Sequence, residues 1–426
     1  MIILRNARAI SRGNETMVVD MLIRGGRIAV IMPKGDKEIH AGLNDTEIDC
    51  KEKIIMPGFI DAHVHLREPG FEDKETIRTG TEAAAAGGFT TVMPMPNLDP
   101  VPDNVQRMNE YCALIGRDAV VRAEPYASIT WDEKGETVVD MRGLKRAGAV
   151  AFSDDGVGVQ SDEVMLNAMA QARMVKSLIV AHTEDNTLKN DGYVHEGPVA
   201  EKNGWRGIPS ACEYAQVERD IELVRQTGCS YHICHVSTKE TVDLVRKAKA
   251  EGLKVTCEVT PHHLTLIDED VVDENYKMNP PLRSREDREA LIEGLLDGTI
   301  DMVATDHAPH TAEEKARGME KAPFGIVGLE TAFPVLFTEL VKPGKMTLAR
   351  LQEVLSETPA EVFGLSNRGR IRKGDLADLV LIDPDAEYEI DPAAFKSKGK
   401  NTPFGGKKVC GKVLWTMVGG KFVYEG

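Results

Sequence analysis

Apolar positions along this chain follow two alternating rhythms. Short apolar runs fall at 58–63, 89–93, 119–126, 149–152, 178–181, 231–235, 254–259 and 301–305. Their length and richness in β-branched residues suit buried strands. Between them lie stretches of helical periodicity, such as 74–86, 162–176, 211–226 and 239–250. About eight strands alternating with helices predict an α/β fold of the (β/α)8 TIM-type barrel class. An open doubly wound sheet is the competing arrangement, but it usually carries a Gly-rich phosphate loop. The chain has no G-x-G-x-x-G or G-x-x-x-x-G-K-[ST], and Asp155-Gly156-Val157-Gly158 fits neither.

The two ends read differently. Apolar stretches at 2–4, 21–23, 28–31 and 54–55 are broken by Gly25-Gly26, Gly35 and Gly42, and strand-like runs recur at 378–383 and 412–418. Gly419-Gly420 predicts a hairpin turn before a last strand at 421–424. Two β-rich ends around a different middle predict one small β-sandwich domain from residues 1–56 and 366–426, enclosing a barrel over 57–365. A barrel needs about 250 residues, so the 426 of this chain leave room for both.

Composition narrows the partners. With 42% hydrophobic and 28% charged residues the chain is an ordinary globular one. A net charge of -16 argues against nucleic acid and anionic membrane surfaces. Cys50, Cys112, Cys212, Cys229, Cys234, Cys257 and Cys410 are scattered without a C-x-x-C pair. They read as reduced thiols and not as a cysteine-built zinc site. No secretory leader or membrane-length apolar run is visible, so a cytoplasmic location is expected.

Candidate chemistry sits where the strands end. The first strand runs into His63-Val64-His65-Leu66-Arg67, the second into Met95-Pro96-Asn97, the fourth into Ser153-Asp154-Asp155. The fifth, sixth and eighth run into His182, His235 and Asp306. In a barrel these ends converge on one face, where active sites lie. Residues i and i+2 of a strand share a side, so His63 and His65 can clamp one ion. Imidazole and carboxylate ligands without thiolate suit zinc, manganese or iron. Four histidines and two aspartates exceed one tetrahedral ion and fit a two-metal site bridged by a carboxylate and hydroxide.

His232, three residues before His235, should face the other way and be structural. His40 and His195 fall in loops and carry no expected role. His262-His263 are either supports for the metal ligands or part of a packed loop. Arg67 shares the phase of the histidine pair and offers bidentate carboxylate binding. With Asn97, Asn279 and His310 it forms a cradle for an anionic, amide-bearing molecule.

Two motifs carry a family resemblance. Residues 56–67, Met-Pro-Gly-Phe-Ile-Asp-Ala-His-Val-His-Leu-Arg, resemble the first-strand signature of cyclic amidohydrolases, and Ala304-Thr305-Asp306-His307-Ala308-Pro309-His310 is similar to the strand-eight signature of dihydroorotases. Met95-Pro96-Asn97, Phe152-Ser153-Asp154-Asp155-Gly156, Met278-Asn279-Pro280-Pro281-Leu282-Arg283 and Pro323-Phe324-Gly325 resemble the bacterial long-chain type. The resemblance spans essentially the whole chain.

It implies two Zn2+ per subunit. His63, His65 and Asp306 would hold one ion and His182 and His235 the other, with Asp155 and a hydroxide as bridges. The resemblance points to Asp155 as the bridge, while the alternation of strand residues, which sends neighbours opposite ways, leaves Asp154 as the alternative. Hydantoinases bridge their metals with a carboxylated lysine from strand four. None stands there in this chain, Lys145 being in the preceding helix, and an aspartate bridge is what the narrower type implies.

The implied reaction is the reversible cyclisation of N-carbamoyl-L-aspartate to L-dihydroorotate with loss of water, in de novo pyrimidine (UMP) biosynthesis. Asp306 would act as general base and then acid. His65, Arg67, Asn97 and His310 would bind the substrate carboxylate side, and Asn279 with Phe324 and Gly325 the amide edge. Residues 311–328 are either a lid or an ordinary surface loop. A homodimer and association with aspartate carbamoyltransferase are implied by family analogy. Two rivals are a hydantoinase- or allantoinase-type amidohydrolase for neutral rings and a non-catalytic scaffold homologue. The carboxylate-binding set argues against the first and the full ligand set against the second.

Overall fold

Strand Phe59–Val64 pairs in parallel with Phe89–Pro94, which pairs in parallel with Arg122–Ala123. Leu178–Ala181, Ser230–Ile233, Val255–Val259 and Met302–Val303 form a second parallel run. Single parallel bridges join the runs into a ring: Ala127 to Phe152, Phe152 to Ile179, and His307 back to Val64. Order around the ring equals order in the chain, with helices between, so the middle of the protein is a closed (β/α)8 barrel. This computed structural model describes residues 1–11, 13–36 and 39–426.

Local chemistry sets the helix boundaries. The helix expected over 74–86 begins at Ile77, because the Thr76 hydroxyl caps the Thr79 amide. Ser161 caps Asp162–Met174, Thr238 caps Lys239–Ala250 and Ser284 caps Arg285–Asp297. Inside the ring, Ile60, Ala62, Met93, Met95, Tyr126, Ala151, Val180, Met302 and Ala304 pack one buried core. Phe59, Phe89, Phe152 and Ile179 face outward into the larger core beneath the helices.

Three strands are shorter than the apolar runs predict. The runs at 119–126 and 301–305 shrink to Arg122–Ala123 and Met302–Val303, and 149–152 keeps only the bridge at Phe152. Parallel main-chain bonds persist around residues 124–127 and 150–153, and buried carboxylates add clamps at the strand ends. Asp154 Oδ1 accepts the amides of Ile129 (2.7 Å) and Thr130 (3.1 Å). Asp61 accepts the Thr305 amide (3.0 Å) and hydroxyl (2.6 Å), fastening the first strand to the eighth.

Both chain ends build one mixed sheet of eight strands, the β-sandwich domain. Ile54–Pro57 joins the halves, pairing in parallel with Ile2–Ile10 and antiparallel with Leu379–Glu389. Gly419 and Gly420, at φ 55° and 77°, turn Lys408–Val418 back into Lys421–Glu425. Among the described residues, no helix is long and apolar enough to cross a membrane.

Asp61 is fully buried and also accepts the His63 amide (3.1 Å). Asp61→Ala strands these donors and is expected to cost about 2–4 kcal/mol of unfolding free energy. Asp61→Asn, which keeps an accepting oxygen, should cost less. Urea unfolding of the three proteins checks this, and equal midpoints would refute the clamp.

Candidate metal centre and substrate cleft

Ile60 and Ala62 point into the barrel, whereas Val64 belongs to the outer core. The parity changes where the ladder to the second strand shifts register, between Asp61 and Val64. This irregularity turns His63 and His65 toward the barrel mouth. Three further ends re-aim side chains through the backbone. Arg67, His235 and Asp306 have φ of 63°, 32° and 50°, a left-handed region that non-glycine residues rarely occupy.

The re-aimed side chains meet. His63 Nε2 lies 3.3 Å from Asp155 Oδ1 and 3.5 Å from Asp306 Oδ1. His65 Nε2 lies 3.1 Å from Asp306 Oδ1 and 3.5 Å from Asp155 Oδ2. His182 Nδ1 and His235 Nε2 approach Asp155 Oδ1 at 3.7 and 3.8 Å and face each other at 2.9 Å. Asp155 thus stands between two pairs of imidazoles. Its neighbour Asp154 points away, spent on the amides of 129 and 130 and on the Thr130 hydroxyl.

This donor set fits cations. His63 Nε2, Asp155 Oδ1 and His235 Nδ1 are buried without a hydrogen-bond partner. His63, His65 and Asp306 can converge on one ion, as can His63, Asp155 and His235. Burial opposes charge on Asp155 and Asp306, yet the charge of the nearby His63 and the other imidazoles holds both carboxyls below the usual range. The imidazoles therefore stand in for missing positive charge.

The far nitrogens are fixed as metal-binding histidines require. His63 Nδ1 donates to Glu258 Oε1 (2.7 Å), and Glu258 Oε2 accepts from His232 Nε2 (3.1 Å). His232 Nδ1 pairs with the Thr256 hydroxyl (2.8 Å), so His232 lies behind the site. His65 Nδ1 donates to Asn97 Oδ1 (3.0 Å), which leaves the Asn97 amino group to donate elsewhere. His263 is tied to Thr260 and the Pro280 carbonyl, a packed-loop role. His262 is buried with Nε2 unpartnered, its pKa driven down by burial and by His263.

An open cleft of about 210 Å³ lies over the cluster. Arg67, Asn97, Asn279, His310, Phe324 and Gly325 all line it, together with the exposed ligands. Arg67 donates to the Pro309 carbonyl (3.3 Å), touches His310 Nε2 (3.3 Å) and has no ion-pair partner among the described residues. His310 Nε2 donates to the Phe324 carbonyl (2.8 Å). Burial and Arg67 push the His310 pKa down to about 3. Gly325 donates its amide to the Lys277 carbonyl (3.0 Å), and its carbonyl accepts from Lys315 and Asn401. A Cβ at Gly325 would stand 2.6 Å from that of Ala308, so glycine keeps the wall open. Residues 311–328 are pinned by two buried lysines, Lys315 bonding to the Lys277, Pro323 and Gly325 carbonyls and Lys277 to those of Met319 and Glu320.

The comparisons agree with this geometry. A model of the amidohydrolase family matches residues 147–424, and a dihydro-orotase-like model matches 52–241. The dihydroorotases of Bacillus caldolyticus and Geobacillus kaustophilus (strain HTA426) are each 55% identical to this chain, covering 99% of it and 98% of their own length. The chain belongs to the dihydroorotase family. Among solved structures, the L-hydantoinase (dihydropyrimidinase) of Arthrobacter aurescens superimposes with a TM-score of 0.89 at 29% identity, covering 100% of this chain and 96% of that one.

Strand four of this dihydroorotase-family chain sends no lysine to the cluster. Lys145 lies in the helix Met141–Ala147 and donates to the Val175 and Lys176 carbonyls at the other barrel end.

Three cleft-side residues escaped the sequence reading. Glu258 had a signal, a lone acid in an apolar strand and two residues from Thr256, which puts both on the face His232 meets. Glu184 and Lys189 had none, since both lie in an irregular loop. Glu184 Oε2 accepts from Asn279 Nδ2 (2.6 Å) and Oε1 from Lys189 (2.7 Å). Lys189 and Lys277 sit over the Phe324 ring, 5.3 and 4.6 Å from its centre.

Glu258→Gln weakens the hold on the His63 tautomer. Metal affinity is expected to fall about 10–100-fold, read by chelator titration with metal analysis. Retention equal to the unmodified protein would remove Glu258 from the site.

Proposed function

We propose that this chain is a zinc-dependent dihydroorotase, interconverting N-carbamoyl-L-aspartate and L-dihydroorotate in de novo pyrimidine synthesis. The observation that carries the reading is Arg67, a cation in the cleft beside the ligand cluster with no ion-pair partner among the described residues. A neutral ring would leave it unpaired. The substrate's α-carboxylate supplies the missing charge.

On this reading His63, His65 and Asp306 hold one zinc ion, His182 and His235 the other, and Asp155 bridges them. When bound, the ions lower the pKa of water toward neutrality and polarise the amide carbonyl. The remaining work falls to the chain. Arg67, Asn97 and His310 hold the α-carboxylate. Asn97 offers its amino group because His65 occupies its oxygen. An arriving carboxylate offsets Arg67 and so favours a protonated His310. Asn279 commits its amino group to Glu184 and therefore presents its oxygen to a ring N–H. Asp306, kept ionised at rest, takes a proton from the attacking water and returns it to the ring nitrogen as the C–N bond breaks. Ring closure runs these steps in reverse. A homodimer, association with aspartate carbamoyltransferase and a cytoplasmic location complete the proposal.

The test is turnover of L-dihydroorotate beside dihydrouracil, hydantoin and allantoin, with metal content measured on the same sample. Dihydroorotate should be selected, and Asp306→Asn should lower kcat by at least about 10²-fold. Arg67→Met should raise KM for dihydroorotate far more than for any neutral ring. Preference for a neutral ring overturns the assignment. Glu184→Gln tests the orientation of Asn279: its amide can turn over, so kcat/KM should drop about 10-fold, as expected for one hydrogen bond to a charged partner, with zinc retained.

A further inference from the structure

The barrel end opposite the metal cluster holds another cavity, of about 660 Å³. It opens where the strands Leu178–Ala181, Ser230–Ile233 and Val255–Val259 begin, overhung by residues 361–364. Lys145, Arg173, Lys176 and Lys254 line it. The chain carries 68 acidic residues against 52 basic ones, so a cation has carboxylates in excess to choose from. Yet none of these four has an ion-pair partner among the described residues. The one carboxylate in the wall, Glu361, is taken by Arg370.

Lys145 and Arg173 are oriented but not neutralised. Lys145 donates to two main-chain carbonyls, at 2.9 and 2.6 Å, and Arg173 to that of Thr227. Both stand in the last turn of a helix, where the dipole favours a cation. That accounts for two of the four and leaves Lys176 and Lys254 unexplained. Ser177 lies in the same wall with its Oγ buried beneath the surface, so the polar groups open to the cavity are the four cations. Next to these polar groups, Val362 and the half-buried Phe363 ring form an apolar wall.

We propose that this cavity binds a nucleotide. Its phosphates are held by the four cations, and its nucleoside lies against Val362 and Phe363. A concave site with four unpaired cations selects a compact polyanion. A nucleic-acid strand would instead meet the field of a chain with net charge -16. The site shares no residue with the catalytic cleft and does not depend on the reaction proposed above.

Isothermal titration of the full-length, zinc-loaded protein tests it, with N-carbamoyl-L-aspartate saturating the catalytic cleft. The probes are a nucleoside triphosphate and inorganic pyrophosphate. The expected result is saturable binding of one triphosphate per chain, weakened at least about tenfold by high salt. The variant Arg173→Glu/Lys254→Glu changes two exposed side chains. It should lose triphosphate binding at least about tenfold with dihydroorotate turnover unchanged. No saturable binding of either probe, or unchanged binding by the variant, overturns the site. Pyrophosphate binding as tight as the triphosphate overturns the nucleoside part.

Discussion

Asp155 and Asp306 are carboxylates buried at the mouth of a barrel, 4% and 7% exposed, and a buried carboxylate must be neutralised. Nearby positive charge can come from imidazoles, but burial disfavours their protonation and prevails at His65, whose pKa is lowered, whereas the carboxylates of Asp155 and Glu184 outweigh it at His63 and His182. Protons satisfy only part of such a cluster. A divalent cation satisfies every member at once, since it needs neutral imidazoles and ionised carboxylates. The surroundings share that requirement. Glu258 and Asn97 hold the far nitrogens of His63 and His65 and leave the near ones free to coordinate.

Bringing these groups together has a cost in the backbone. Left-handed φ at Arg67, His235 and Asp306 costs about 1–3 kcal/mol at each residue. The strands that end there must be fastened firmly enough to hold the strain. Asp61 supplies one fastening, between strand one, which carries His63 and His65, and strand eight, which carries Asp306. Asp154 supplies another, between strand four and the loop beyond strand three. These two buried carboxylates brace the strand ends that carry the site. Barrel regularity and site geometry compete, and the side-chain clamps reconcile them.

Legibility in the sequence follows from which signals are local. Strand-to-helix alternation and the i, i+2 spacing of His63 and His65 are local, so the barrel and the first candidate ligands could be read directly. The join of the two β-rich ends was readable because their pattern differs from the middle. The length of strand eight was not, because Asp61, far away in sequence, takes the amide of Thr305. Glu184 and Lys189 were illegible for a related reason. Their importance lies in where an irregular loop returns, against Asn279 and Phe324. Asp154 and Asp155 could not be separated by type. A two-amide clamp on one leaves the other for the cleft.

The backbone of this barrel is shared with enzymes named for other rings, so the fold does not select the substrate. Selection must come from charge in the cleft. Arg67 leaves the first strand at a left-handed residue and braces on the Pro309 carbonyl and His310, both on the segment that follows Asp306. The guanidinium is therefore positioned by the same two strand ends that position His63, His65 and Asp306. A carboxylate bound to it is held at a fixed offset from the reacting carbonyl, which is how remote binding energy is turned into orientation. A neutral ring of the same size gains no such register, and it leaves a partly desolvated cation unpaired. On the proposed reading, the same side chain accounts for both selection of an acidic ring and its alignment.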